Sequence, residues 1–179
     1  MRRLTFDRPF LIIIFILVVV GFFIFASASL GLLTRDGASF SQVAFSQLFL
    51  GIFMGSLALL LVSRIHYRYL QKYSLYIFIT SLVITALVFI PGIGFEFNGA
   101  KRWILLGPLS FQPAEFLKLG FVIYFAAWLS GIRDKLHSVL YTVLPFLVLI
   151  GIVSLMLLAQ PDTGTLIVIA AAGFGMFLV

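Results

Sequence analysis

Cysteine is absent from the chain. Disulfides, thiolate metal sites and thiol catalysis are therefore excluded. Charge is scarce as well: 10% of the 179 residues are Asp, Glu, Lys or Arg, against roughly a quarter in soluble domains. So few polar side chains cannot cover a globular surface, which rules out a soluble protein. Acids are scarcer still, 6 against 12 Lys and Arg, for a formal net charge of +6. In a soluble chain that excess would point to nucleic acid. Here the cations lie in short segments between apolar blocks, where they set topology, and no nucleic acid is expected as a partner.

What the chain has is apolar bulk: 63% hydrophobic residues, 21 Phe and a mean hydropathy of +1.21. Disorder needs the opposite composition. An outer-membrane barrel needs alternating strands, and long apolar blocks stand in their place. An all-α polytopic membrane protein remains.

A helix rises about 1.5 Å per residue, so about 20 residues cross the hydrocarbon core. Five blocks qualify: Phe10 to Leu33, Val43 to Val62, Ser74 to Ile90, Pro113 to Ser130 and Ser138 to Ala159. The first is too long for the apolar core of a cleavable signal peptide. A sixth block begins near Thr165 and, with only about 21 Å of helix to Val179, is expected to be truncated. The chain reads as an amino-terminal fragment, with residues 1–179 forming part of a single transmembrane domain.

Orientation follows the cations. Arg2, Arg3 and Arg8 precede the first block, Arg64, Arg68 and Lys72 fill the loop after the second, and Arg133 and Lys135 follow the fourth. That side is expected to be cytoplasmic, the N-terminus with it. His66 and His137 read as solvated loop residues beside those cations. A GxxxG at Gly51 and Gly55 carries little weight in a Gly-rich membrane chain.

The opposite side also holds Arg35, and five of the remaining charges stand out. Lys101 and Arg102, beside Trp103 in the loop Gly92–Gln112, fall on the outer side. They read either as an interfacial segment touching lipid phosphates or as an anion site for phosphate or pyrophosphate. Gln112-Pro-Ala-Glu-Phe-Leu-Lys118 starts a helix, with Pro113 at its first position. Glu115 then suits the positive end of the helix dipole, and Lys118 can pair with it three residues on. Lys118 either snorkels to the interface or, paired with Glu115, faces a polar cavity; the pairing favours the cavity. Gln160-Pro-Asp-Thr-Gly-Thr165 must break the apolar stretch that follows Ser138, which as one helix would be about 63 Å long. Asp162 either caps the next helix or contributes a second carboxylate to the same outer cavity.

Three segments in this order, Asn98-Gly-Ala-Lys-Arg-Trp-Ile104, Phe111-Gln-Pro-Ala-Glu-Phe-Leu-Lys118 and Gln160-Pro-Asp-Thr-Gly-Thr165, resemble the signatures of the SEDS family (shape, elongation, division and sporulation proteins). Ser27-Ala-Ser29 resembles the family's opening pattern. Phe89-Ile-Pro-Gly-Ile-Gly94 with Asn98-Gly99 is more similar to the division branch than to the elongation branch. Ala114 stands where the family commonly has Ser, and Thr163 where it has Leu; neither departure removes a charge.

The resemblance implies a ten-helix bundle in the bacterial cytoplasmic membrane. It also implies a peptidoglycan glycosyltransferase that polymerises lipid II at the outer face during cell division. Arg102, Glu115, Lys118 and Asp162 match positions the family uses in or near its outward cavity, with Lys101 and Gln112 beside them. The family's proposed catalytic aspartate would lie beyond Val179, so the catalytic residue is unknown here and this stretch alone is expected to be inactive. Implied partners are lipid II, a class B penicillin-binding protein and divisome membrane proteins. No cofactor is evident; a divalent cation is allowed but not indicated by the sequence. A lipid II flippase and a non-catalytic division scaffold are the rival readings. A flippase needs a polar path to the cytoplasm, whereas these polar residues gather near the outer face, which favours the enzyme.

Overall fold

The computed structural model describes residues 8–36, 51–53, 55–97, 99–106, 109–132 and 139–177. Arg2, Arg3, Arg133, Lys135 and His137, and the first half of the second expected span, lie outside the described residues. The chain divides into two compact units, Met1–Ile65 and His66–Val179.

The first unit holds α1 (Arg8–Asp36) and, after a π-helical turn at 51–53, α2 (Gly55–Ser63). The second holds α3 (Tyr67–Ala86), a 3-10 turn at Leu87–Phe89, strands β1 (Gly94–Phe97), β2 (Ala100–Leu106) and β3 (Leu109–Phe111), then α4 (Pro113–Gly131), α5 (Val139–Ala159) and α6 (Thr163–Gly175). Among the described residues, four stretches are long and apolar enough to cross a membrane: Arg8–Ser27, Tyr67–Phe89, Pro113–Gly131 and Leu140–Ala159.

Two expectations are corrected. Arg68 and Lys72 are not loop residues; they stand in the first two turns of α3, which begins seven residues ahead of the expected block. His66 starts the helix early, its Nδ1 accepting from the Arg68 N–H, and its ring stacks on Tyr67 at 4.8 Å. Exposed Tyr67, Tyr69, Tyr73 and Tyr76 continue this turn, and such amphipathic side chains suit a membrane interface where apolar patterning goes blind. His66 is thus a helix cap, though an exposed one.

The second correction adds a sheet to the helical fold. The loop Gly92–Gln112 contains a three-stranded antiparallel sheet in the order β1-β2-β3. Gly94 pairs with Ile104, Phe95 with Trp103, and Glu96 with Lys101 across a bulge; Ile104 then pairs with Phe111. Residues 98 and 99 alone separate β1 from β2, and Gly99 has a φ of 75°. An Asn-Gly dipeptide between strands is the strongest local hairpin signal, because both turn positions need positive φ. Alternation then divides β2 by face: Lys101, Trp103 and Leu105 are exposed, while Ile104 is buried and Arg102 half-buried.

The core of the second unit is aromatic. Phe78, Leu117, Phe121, Phe125, Val153, Leu157 and Ile169 are buried together. Phe78 stacks on Tyr124 at 5.4 Å, and Phe125 meets Phe146 and Phe177. Helices α3 and α4 approach closely at Gly120, where a Cβ would stand 2.4 Å from Ser81 Oγ. A hydrogen bond at one end and a close polar contact at the other mark their antiparallel course. At one end Gln71 near the start of α3 reaches Ser130 near the end of α4; at the other Thr85 lies against the Pro113 carbonyl.

Candidate functional site

Four chain ends converge on one end of the second unit: the close of α3, the start of α4, the turn between α5 and α6, and strand β2. Pro113 opens α4, where its missing N–H costs nothing. Gln112, immediately before it, makes no side-chain cap bond to α4. Its Nε2 instead donates to Asp162 Oδ2 at 3.1 Å.

Asp162 is buried, 4% exposed, and satisfied from three directions. It caps α6 by accepting from the Thr165 N–H through Oδ1 at 3.3 Å. Oδ2 accepts from the Thr165 hydroxyl at 2.8 Å as well as from Gln112. No cation pairs with it directly among the described residues. The structure shows the cap of α6, and the same carboxylate also joins Gln112 at the start of α4.

Arg102 reaches the same turn from β2. Its Nε donates to the Gln160 carbonyl at 3.3 Å, and an Nη donates to the Pro161 carbonyl. Two of five N–H donors are thereby engaged, and three have no acceptor among the described residues. Both acceptors are free for this because the helix ladder ends there: the last carbonyls of a helix and the turn after it have no intrahelical partners.

Glu115 and Lys118 form their ion pair on α4, with Nζ 2.8 Å from Oε1. Lys118 is 26% exposed and Glu115 57%, and the lysine points back towards the helix start, as side chains on a helix do. Lys101 stands apart. It lies on the exposed face of β2, opposite Arg102, 3.7 Å from Glu96. Arg102, Gln112 and Asp162 therefore share one network, Glu115–Lys118 sits on the first turns of the helix that Gln112 precedes, and Lys101 belongs to a separate surface pair.

The network contains residues that were not singled out. Gln160 is fully buried and its Nε2 donates to the Thr85 carbonyl at 3.1 Å. The Thr85 hydroxyl donates to Ser81 O at 2.7 Å, and the Thr165 hydroxyl meets Asp162. Gln160 had a signal, a lone amide closing a 21-residue apolar helix; Thr85 had none, being one hydroxyl among several in α3. No group of three or more His, Asp or Glu residues that could hold a metal ion occurs among the described residues.

A bundle of apolar helices carrying a buried polar network at one end defines a multi-pass membrane protein. The chain belongs to the FtsW/RodA/SpoVE family of cell cycle proteins, which it matches over residues 8–179. It is 36% identical over 170 residues to the probable peptidoglycan glycosyltransferase FtsW of Halothiobacillus neapolitanus, covering 95% of this chain and 41% of that protein. The FtsW of Pasteurella multocida is 30% identical over 180 residues, covering 99% of this chain and 44% of that one. Among solved structures, a chain of a peptidoglycan synthase complex that coordinates polymerization and crosslinking superposes with a TM-score of 0.74 at 30% identity, covering 96% of this chain and 46% of that chain. The rod shape determining protein RodA of Thermus thermophilus gives 0.71 at 30% identity, covering 93% and 51%. The chain thus spans about half the length of these proteins or less.

Proposed function

We propose that the protein polymerises lipid II into glycan strands at the outer face of the bacterial cytoplasmic membrane during cell division. It works with a class B penicillin-binding protein and other divisome membrane proteins, its N-terminus in the cytoplasm. The observation that carries this reading is the joining of Arg102, Gln112 and Asp162 around one helix turn, beside the Glu115–Lys118 pair. The names of the relatives, peptidoglycan glycosyltransferases, support it.

In the reaction a sugar hydroxyl of one lipid-linked disaccharide forms a bond to the anomeric carbon of another. The bond from that carbon to the polyprenyl pyrophosphate breaks, and the pyrophosphate leaves with the electron pair. Arg102, with three donors free among the described residues, and Lys118 are suited to stabilise that growing negative charge. Asp162 is committed to Gln112 and Thr165 and organises the site. The hydroxyl proton passes to a general base, a role not assigned to any of these residues. No cofactor is assigned. Arg102→Gln in the intact protein tests this: about a tenfold loss of lipid II affinity is expected, and unchanged binding would leave Arg102 an interfacial residue.

A further inference from the structure

Gln160 is the largest buried polar side chain of the site, 1% exposed. Its Nε2 donates to the Thr85 carbonyl, whereas no donor reaches its Oε1 among the described residues. Burying an acceptor without a donor is unfavourable, since the oxygen gives up its hydrogen bonds to water. Methionine would fill a similar volume without that cost, so the value of the amide at this position lies in what its N–H does. The backbone of the same residue, with that of Pro161, supplies the carbonyls that hold Arg102. The side chain therefore fastens to α3 the turn that orients the guanidinium. The anchor is itself fixed, since Thr85 is buried and its hydroxyl bonds to Ser81 O and approaches Pro113 O.

We propose that Gln160 is the positioning residue of Arg102: by tying the α5–α6 turn to the end of α3, it holds the guanidinium where its free donors meet a pyrophosphate. This rests on the reading of Arg102 as the pyrophosphate-binding cation. Gln160 touches no substrate; it acts through the two carbonyls, and its effect disappears once Arg102 is gone.

The test is a double-mutant cycle in the intact protein, reading lipid II affinity in nanodiscs together with the thermal midpoint. Gln160→Met and Arg102→Gln should each weaken binding about tenfold, and the double variant should bind no more weakly than Arg102→Gln alone. The midpoint of Gln160→Met should stay close to the wild-type value. Wild-type affinity in Gln160→Met, or losses that add in the double variant, would overturn the proposal. Should Gln160→Met not fold, Gln160→Asn replaces it, keeping the amide but being too short to reach Thr85. Failure of both to fold assigns Gln160 a purely structural role and also overturns it. A wild-type protein that does not bind lipid II, or an Arg102→Gln variant that binds it normally, refutes the reading of Arg102 first, and the positioning role falls with it.

Discussion

Asp162 does two jobs with one carboxylate: it caps α6 through Thr165 and holds α4 through Gln112. Substitution should separate them. Asp162→Asn keeps a good capping residue, so its stability should fall little, while Asp162→Ala should lose about 0.5–2 kcal/mol as a lost cap does. Thermal unfolding of both variants checks this; equal midpoints would mean that the cap contributes nothing. The glutamine and proline before Asp162, and the carboxylate itself, could be read from sequence, since a 63 Å helix is impossible and a cap is needed where the chain restarts. That Asp162 meets Gln112, 50 positions away, could not be read, because nothing local encodes which helix ends share a corner of the bundle.

At the scale of elements, the close contact of α3 and α4 depends on Gly120 lying over Ser81. Gly120→Val would drive a side chain into that hydroxyl, and overpacking of this kind costs about 1–3 kcal/mol. The expected result is a lowered thermal midpoint, with Gly131→Val, where a Cβ meets nothing, close to wild type. The helices themselves were visible as apolar blocks, because only a helix satisfies its own backbone in lipid. Their ends were less so: α3 begins on a polar, aromatic turn that hydropathy does not register. The sheet was overlooked for a different reason. Its hairpin carries Asn98-Gly99 and its second strand alternates from Lys101 to Leu105, yet the length of the segment between two spans invites reading it as an interfacial loop. Face alternation in β2 is what sends Lys101 to Glu96 and Arg102 to the α5–α6 turn.

For the whole molecule, the proposed orientation places Arg68 inside and the sheet outside. Cysteine is absent from these 179 residues, so single cysteines introduced here into an otherwise cysteine-free protein test this directly. In intact cells a membrane-impermeant maleimide should label Lys101→Cys and spare Arg68→Cys until the membrane is opened. The reverse pattern would invert the topology and put the polar network on the cytoplasmic side, where a lipid II polymerase of the proposed kind could not use it.

The central claim is that the charges gathered at this end of the bundle serve glycan polymerisation. Incubation of labelled lipid II with the intact protein and its class B penicillin-binding protein measures it most directly. The wild type should give a ladder of glycan products, and Glu115→Ala and Lys118→Met should each abolish it while the proteins remain folded. A ladder unchanged in both variants would contradict the account.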